Sequence, residues 1–257
     1  MQAALAELPI AEPADGPADG PTDKPTNGPA ETPDAQELAL ALRRWLVWDG
    51  ASEVGVDDFV CDGPGVEAVA ALCAGVILVE GDEQRVATLF AAGADCVFVG
   101  EAALQDSTVV ERLVAAHGAK RIGIYAPLGR QTVSWSFETV SNADFKTVTP
   151  SHCEPAWEVL RADGGGTGTL APWWLKAMRE LGATRFLVRV DIRDDTDLNL
   201  CAGLVEDLGD ALWIGPLQDT TPRLAEWVDY GQCRQLALGA AAYAHCNALL
   251  DEQPESA

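Results

Sequence analysis

Acidic side chains follow short apolar runs at several points along the sequence, and carboxylates at such positions can do chemistry. The residues are Asp49, Asp62, Glu80, Asp82, Glu101, Asp191, Asp194 and Asp195. Where apolar runs form parallel strands, their carboxyl ends share one face, and the carboxylates converge there. Converging carboxylates bind a divalent cation through oxygen ligands, or an amine-bearing substrate. The alternative is that a strongly acidic protein is acidic here as elsewhere. We predict that the protein has no cofactor, and the alternative that these carboxylates bind a divalent cation stays open.

Eight apolar runs alternate with stretches of helical periodicity. The predicted strands are 45–48, 58–61, 76–80, 96–99, 122–126, 186–192, 211–214 and 235–238. The predicted helices are 66–74, 83–92, 106–117, 170–181, 197–208, 219–230 and 240–250. Alternation of this kind indicates an α/β fold with a parallel sheet, and eight units favour a closed (β/α)8 TIM barrel, which needs roughly 200 residues at the least. Nine residues, 49–57, are too few for a crossover helix, so we predict that the first unit is abbreviated or that the barrel is incomplete there.

Two segments of the sequence share one plan. Segments 76–104 and 211–243 each contain an apolar strand, a tight turn, a helix that ends at a glycine, a second apolar strand and a Gly-x-Ala-Ala sequence. They fall at strands 3–4 and strands 7–8, so the repeat is displaced by four strands. This displacement predicts a barrel built from two equivalent half-barrels.

The amino-terminal part of the sequence has a different composition. Prolines recur every fourth residue from Pro9 to Pro33, with Ala, Asp, Gly, Thr and Glu between them. Such a stretch has no apolar face to bury, and each proline removes a backbone donor. We therefore predict a disordered acidic arm over 1–34, a barrel domain over 35–250 and a disordered tail over 251–257.

Charge and cysteine content exclude several classes of partner and compartment. The chain has 40 Asp and Glu against 17 Lys and Arg, a net charge of −23, which repels nucleic acid and anionic membrane surfaces alike. It leaves open a protein partner that binds the acidic surface. None of the seven cysteines forms a CxxC pair, and the first residues lack a basic export signal. The sequence therefore predicts a cytoplasmic protein without a disulfide framework.

Three segments carry a resemblance to a known family. VILVEGDEQRVATLFAAGADCVFVGEAALQDSTVVERL (76–113) resembles the region from strand 3 through helix 4 of the HisA/HisF barrels of histidine biosynthesis. RFLVRVDIRDDTDLN (185–199) resembles the sixth strand of that family. IGIYAPLGRQTVSWSFET (122–139) resembles its fifth strand and the following loop, which carries a tryptophan in the isomerase branch. Arg130 and Trp135 belong to this loop and are candidates for the barrel mouth, together with Glu80, Asp82, Glu101 and Asp195.

The resemblance implies a barrel that opens and rearranges a phosphoribosyl group with two aspartates, at the tops of strands 1 and 6. Asp191 fits the sixth-strand position, and Asp49 is the candidate for the first. Such a pair needs one protonated carboxyl that donates to the ring oxygen and one carboxylate that accepts a carbon-bound proton. The alternatives are a helix cap or an ion pair with Arg193 for Asp191, and a turn before Gly50 for Asp49.

The phosphate sites of the family are altered in this sequence. Family members hold phosphate with N–H groups at glycine turns and helix N-termini. Carboxylates of Glu80, Asp82 and Glu101 replace small residues at the first site, which predicts that this half has lost phosphate. The second site, at Gly215, Gly239 and Ala240, is nearer to the family pattern, although Pro216 lacks an N–H.

These departures argue against the histidine-pathway isomerase reaction itself. Related HisA/HisF-like proteins of unassigned reaction occur beside genes for one-carbon metabolism, and the resemblance to them implies an isomerase-like or lyase-like enzyme with a phosphorylated small-molecule ligand over strands 6–8. A non-catalytic scaffold derived from the barrel is the second hypothesis. A lyase that uses carboxylates and a metal is the third.

Overall fold

A computed structural model describes residues 40–131, 140–142, 145–147 and 155–251, with the backbone alone for the two short segments. The strands are β1 (Ala41–Val47), β2 (Phe59–Cys61), β3 (Gly75–Leu78), β4 (Val97–Val99), β5 (Ile122–Arg130), β6 (Val140–Asn142), β7 (Phe145–Thr147), β8 (Trp157–Leu160), β9 (Gly166–Leu170), β10 (Arg185–Arg189), β11 (Leu212–Gly215) and β12 (Gln235–Gly239). The α-helices are α1 (Glu83–Ala91), α2 (Glu101–Gln105), α3 (Thr108–His117), α4 (Ala171–Glu180), α5 (Asp195–Leu208), α6 (Leu224–Asp229), α7 (Ala240–Ala244) and α8 (Cys246–Asp251). Three 3-10 turns lie at Val66–Ala68, Ala119–Arg121 and Gly209–Ala211.

Eight of these strands form a closed parallel barrel. Around the barrel the order is β1, β2, β3, β4, β5, β10, β11 and β12, and β12 pairs with β1 to close the ring. All eight pairings are parallel. The predicted (β/α)8 TIM barrel is confirmed, and each predicted strand overlaps a barrel strand.

The first part of the barrel has less helix than the rest. Residues 48–58, between β1 and β2, contain no helix, which confirms the abbreviated first unit. The prediction of a helix over 66–74 is wrong, because only the 3-10 turn Val66–Ala68 forms there. Gly65 has a φ of 81° before this turn and Val69 has a φ of −119° after it, so the chain leaves the helical conformation after a single turn.

Side chains inside the barrel separate its two ends. Alternate strand residues point inward, and the rings of Phe59 and Phe98 meet edge to face at 5.1 Å. Trp213 packs against Phe59 in the same way at 5.5 Å. These three aromatic rings fill the middle of the barrel, so each end has its own opening.

The segment between the fifth and sixth barrel strands adds an antiparallel extension. The end of β5 pairs with β8, and β8 pairs with β9. Glu101 connects this extension to α2, since its carboxylate accepts the N–H of Ala162 at 3.0 Å. The extension therefore lies at the carboxyl ends of the strands, beside the third and fourth units.

The two repeated segments have the same order of elements. The first contains β3, α1, β4 and α2, and the second contains β11, α6, β12 and α7. They lie four strands apart around the barrel. Gly100 and Gly239 occupy equivalent positions, each at the N-cap of a five-residue helix that directly follows a strand.

Six cysteines lie in the described part of the chain and all are free thiols. The Sγ atoms of Cys201 and Cys233 are 3.3 Å apart in the core between α5 and β12. Among the described residues, no helix has the length and apolar character required to cross a membrane. The predicted arm over 1–34 and residues 252–257 of the predicted tail lie outside the described residues.

Candidate functional site

A cavity of about 260 Å³ opens at the carboxyl ends of β10, β11, β12 and β1. Trp45, Arg189 and the segments 216–220 and 239–242 line it. Catalytic and binding groups of this fold lie at the carboxyl face, because the loops that follow the strands meet there. This cavity is therefore the first candidate for a functional site.

Arg189 supplies the positive charge of this cavity. In β10, Phe186 and Val188 point outward into the core under the helices, so Arg189 points inward with Leu187. Its guanidinium carbon lies 3.9 Å from the centre of the Trp45 ring. Its Nε donates to the carbonyl oxygen of Pro216 at 2.9 Å, and its Nη2 donates to the same oxygen at 2.7 Å and to that of Leu217 at 2.5 Å.

The hydrogen bonds to Pro216 and Leu217 use the Nε and Nη2 groups of Arg189, and the hydroxyl of Tyr125 also lies within hydrogen-bonding reach of the guanidinium. These contacts leave at least one N–H group of Nη1 available to a ligand. The indole Nε1 of Trp45 is buried and also has no partner among the described residues. Gly239 faces this indole, since a Cβ at Gly239 would lie 3.5 Å from a ring carbon of Trp45.

Two neutral side chains surround Arg189 on the axis of the barrel. Burial raises the pKa of Tyr125, and the positive charge of Arg189 opposes that rise. Burial raises the pKa of Cys61 to about 11, again opposed by Arg189. Both groups stay protonated at neutral pH, so neither neutralises the guanidinium.

The carboxylate of Asp191 is held by the backbone. Its Oδ1 accepts the N–H groups of Leu217, Gln218 and Asp219 at 2.9, 2.8 and 3.0 Å. These N–H groups belong to the turn after β11, where the resemblance implies a bound phosphate. The anion in that turn is Asp191 itself, and the cap of α5 is Asp194, which accepts the N–H of Asp197 at 3.1 Å.

Asp49 forms a turn after β1. Its Oδ1 accepts the N–H groups of Ala51 and Ser52 at 2.9 and 2.7 Å. These backbone hydrogen bonds lower the pKa of Asp49 to about 2. Asp49 is thus ionised at neutral pH and cannot be the protonated member of the predicted pair. Neither Asp49 nor Asp191 lines the cavity.

The titration of Asp49 provides a direct test of this geometry. We expect a midpoint near pH 2 for its carboxyl carbon in a carbon-13 NMR titration of the folded protein. Because the folded-state pKa lies below the ordinary 3.8, the turn stabilises the protein above about pH 4 and loses that effect as the pH falls toward 2. Ser52→Pro removes one of the two N–H donors and should move the midpoint upward. A wild-type midpoint near 4 would show that the turn is not formed.

The acidic residues of the third and fourth units line a separate cleft of about 460 Å³. Asp82 caps α1 by accepting the N–H of Arg85 at 2.9 Å, and Glu80 and Glu101 lie nearby on the cleft wall. In the part of the chain that the structure describes, no three His, Cys, Asp or Glu side chains are grouped so that they hold a metal ion. Glu80, Asp82 and Glu101 are thus brought together, but apart from Gly239 and Ala240.

Arg130 binds acidic residues of α5 and its cap. Its Nη atoms donate to Asp194 at 2.9 and 2.6 Å, and its Nε donates to the buried Asp197 at 3.0 Å. These contacts hold the end of β5 against the start of α5. Asp195 is the first residue of α5 and lies exposed on the rim. Trp135 lies outside the described residues.

Gly215, Gly239 and Ala240 take different roles. Gly239 and Ala240 line the cavity, as the phosphate prediction requires. Gly215 is buried, and a Cβ there would lie 2.1 Å from the carbonyl oxygen of Ala237. The absence of a side chain at position 215 therefore permits the close approach of β11 to β12. A phosphate contact is not needed to explain a glycine at this position.

The sequence analysis missed Arg189 and Trp45. A signal for Arg189 was present, because a charged residue interrupts the apolar run of β10 on the same face as Leu187. Trp45 carried no comparable signal, since tryptophan in a strand is usually a packing residue.

Two comparisons with known proteins found no counterpart. No family model matches the chain, and no curated protein matches it. The functional interpretation therefore depends on the residues at the two ends of the barrel.

Proposed function

We propose that the carboxyl-end cavity binds a small monophosphorylated or phosphoribosyl-like molecule, and that Arg189 holds its anionic group. The observation that carries this proposal is the guanidinium of Arg189, which lines a cavity of about 260 Å³ and keeps at least one N–H group of Nη1 unused by the described residues. A chain of net charge −23 disfavours anions over most of its surface. An inward-pointing cation at the functional face favours an anion in this cavity.

The proposed anion lies on the β12 side of the cavity. The N–H groups after β11 are occupied by Asp191, so they are not available to a second anion. Gly239, Ala240, Ala241 and Ala242 line the cavity on this side, next to Arg189. The proposed site therefore includes Gly239 and Ala240, as the resemblance implies, but not Gly215.

The size and walls of the cavity suit a sugar phosphate. Its volume is close to the lower end of the ~300–1,000 Å³ range of small-molecule sites. Leu217, Ala241 and Ala242 provide a neutral wall for the body of the ligand. Asp219 is the single carboxylate among the described lining residues, and it can accept a ligand hydroxyl.

Both predicted catalytic aspartates are already hydrogen-bonded to the backbone. This favours a second candidate function, a binding protein without isomerase chemistry. Asp49 and Asp191 each accept backbone N–H groups and neither reaches the cavity wall. An isomerase-like or lyase-like reaction requires Asp191 to leave the turn when the ligand binds. Turnover of a phosphosugar that is lost in Asp191→Asn would support the enzyme, and binding without turnover would support the binding protein.

Calorimetry with ribose 5-phosphate tests the binding proposal. We expect weak binding to the wild type and at least a tenfold loss in Arg189→Met, which removes the charge and keeps the length of the side chain. Arg112→Met is the matched control, because Arg112 lies on the exposed face of α3, where it pairs with Glu83 and Asp106, and it should bind as the wild type does.

Nitrogen-15 NMR shift mapping locates the ligand in the same samples. The expected shifts centre on 239–242. If Arg189→Met fails to fold, Ala241→Asp places a carboxylate at an exposed position on the cavity wall and should also abolish binding. Unchanged affinity in Arg189→Met, or shifts centred on Gly81 and Gly100, would refute the proposal.

A further inference from the structure

The amino-terminal end of the barrel contains a second cavity, of about 490 Å³. Its floor is the aromatic group of Phe59, Phe98 and Trp213. Arg43 of β1 and Arg185 of β10 point into it from the starts of their strands. It shares no lining residue with the carboxyl-end cavity, so it is a separate opening.

Arg43 lies in this cavity without a hydrogen-bonded anionic partner among the described residues. Its guanidinium carbon is 4.7 Å from the centre of the Trp213 ring and 5.1 Å from that of Phe59. It forms no hydrogen bond or ion pair with any residue in the ranges the structure describes. Burial lowers the pKa of Arg43, and the charge of Asp57 opposes this effect. A half-buried cation with free donors is stabilised by an anion that enters the cavity.

The carboxylates around the cavity disfavour a ligand with two negative charges. Arg185 already has Asp95 as its partner, with Nη1 and Oδ2 3.5 Å apart. Burial raises the pKa of Cys96 to about 11, so this neighbouring thiol is neutral. Asp210 is exposed on the cavity lining and Asp57 is exposed beside the lining residue Val56, and both repel a dianion more strongly than a monoanion. A carboxylate is therefore favoured over a phosphate as the anion that Arg43 binds.

The rim of the cavity is apolar on one side. Val56 is 78% exposed and Leu72 is 53% exposed, and both line the opening. Large apolar side chains at such exposure on the edge of a charged cavity suit a ligand with an apolar body. Aromatic rings on the floor provide further apolar surface for that body.

We propose that the amino-terminal cavity is a second ligand site, which binds a small organic carboxylate with a compact apolar or aromatic body. The carboxylate accepts hydrogen bonds from Arg43, and the body packs against Leu72 and Val56. The site is independent of the carboxyl-end cavity and of any sugar phosphate bound there.

Benzoate is the probe, followed by nitrogen-15 NMR titration of the full chain. We expect shifts at residues 71–74 and at the indole N–H of Trp213. Acetate, which lacks the apolar body, should bind at least tenfold more weakly, and inorganic phosphate should not displace benzoate. Arg43→Met should weaken benzoate binding at least tenfold.

Arg121→Met is the matched control, because Arg121 also stacks on an aromatic ring, that of Phe90 at 4.2 Å, but lies outside the cavity. It should bind benzoate as the wild type does. If Arg43→Met does not fold, Leu72→Glu adds a carboxylate at an exposed rim position and should weaken binding by a similar factor. Equal affinity for acetate and benzoate, unchanged affinity in the folded Arg43 or Leu72 variant, or shifts centred on 239–242 would each overturn the proposal.

Discussion

Replacing Gly215 with alanine is expected to lower the free energy of unfolding by about 3 kcal/mol. The new Cβ would lie 2.1 Å from the carbonyl oxygen of Ala237, a backbone atom of the neighbouring strand. This oxygen cannot move aside as a side chain does, because β11 and β12 are hydrogen-bonded to each other and to the rest of the closed barrel. The substitution therefore forces two strands apart.

Gly203→Ala is the matched control for this experiment. Gly203 lies inside α5, and a Cβ there meets nothing within 4 Å. Alanine loses less backbone entropy than glycine when a helix forms. The free energy of unfolding of this variant should therefore rise by about 0.5–1 kcal/mol. Urea denaturation of both variants measures the difference. Equal changes in the two variants would mean that the close approach of β11 to β12 is absent.

Asp197→Asn is expected to lower the free energy of unfolding by roughly 2–4 kcal/mol. Asp197 is only 1% exposed, and its two oxygens accept the Nε of Arg130 and the backbone N–H of Arg193, both at 3.0 Å. An asparagine keeps the shape of the side chain but removes its charge. Its oxygen accepts one of the two hydrogen bonds, and its NH2 group cannot accept the other. Arg130 is then left beside a neutral group, and one buried bond is lost.

Asp194→Asn is the matched control, because Asp194 binds the same Arg130 but its side chain is 49% exposed. Asparagine also preserves the cap of α5. The loss of stability should be clearly smaller, since solvent screens an exposed ion pair. Thermal or urea denaturation compares the two variants under one condition. A loss for Asp194→Asn as large as that for Asp197→Asn would contradict the role assigned to burial.

Local pattern in the sequence was sufficient to predict the barrel. Short apolar runs that alternate with helical periodicity occur eight times, and each run became a buried parallel strand, because the helices cover the outer face of the sheet and the barrel interior covers the other. The shared plan of 76–104 and 211–243 placed the two repeated quarters four strands apart, as the structure has them. The failure at 66–74 has a local cause, since the backbone leaves the helical conformation at Val69, directly after one 3-10 turn.

The candidate sites depended on tertiary structure. Arg43 lies near the start of its strand and Arg189 at the end of its strand, but only closure of the barrel encloses both side chains, on either side of the aromatic rings. The backbone hydrogen bonds to Asp191 depend on the path of the turn after Gly215. The close contact between Gly215 and Ala237 sets that path. Contacts of this kind join strands that are distant in sequence, and periodicity within one segment carries no information about them. The sequence alone therefore determined the strands and the charge of this protein, whereas the folded barrel decided which charges face a cavity.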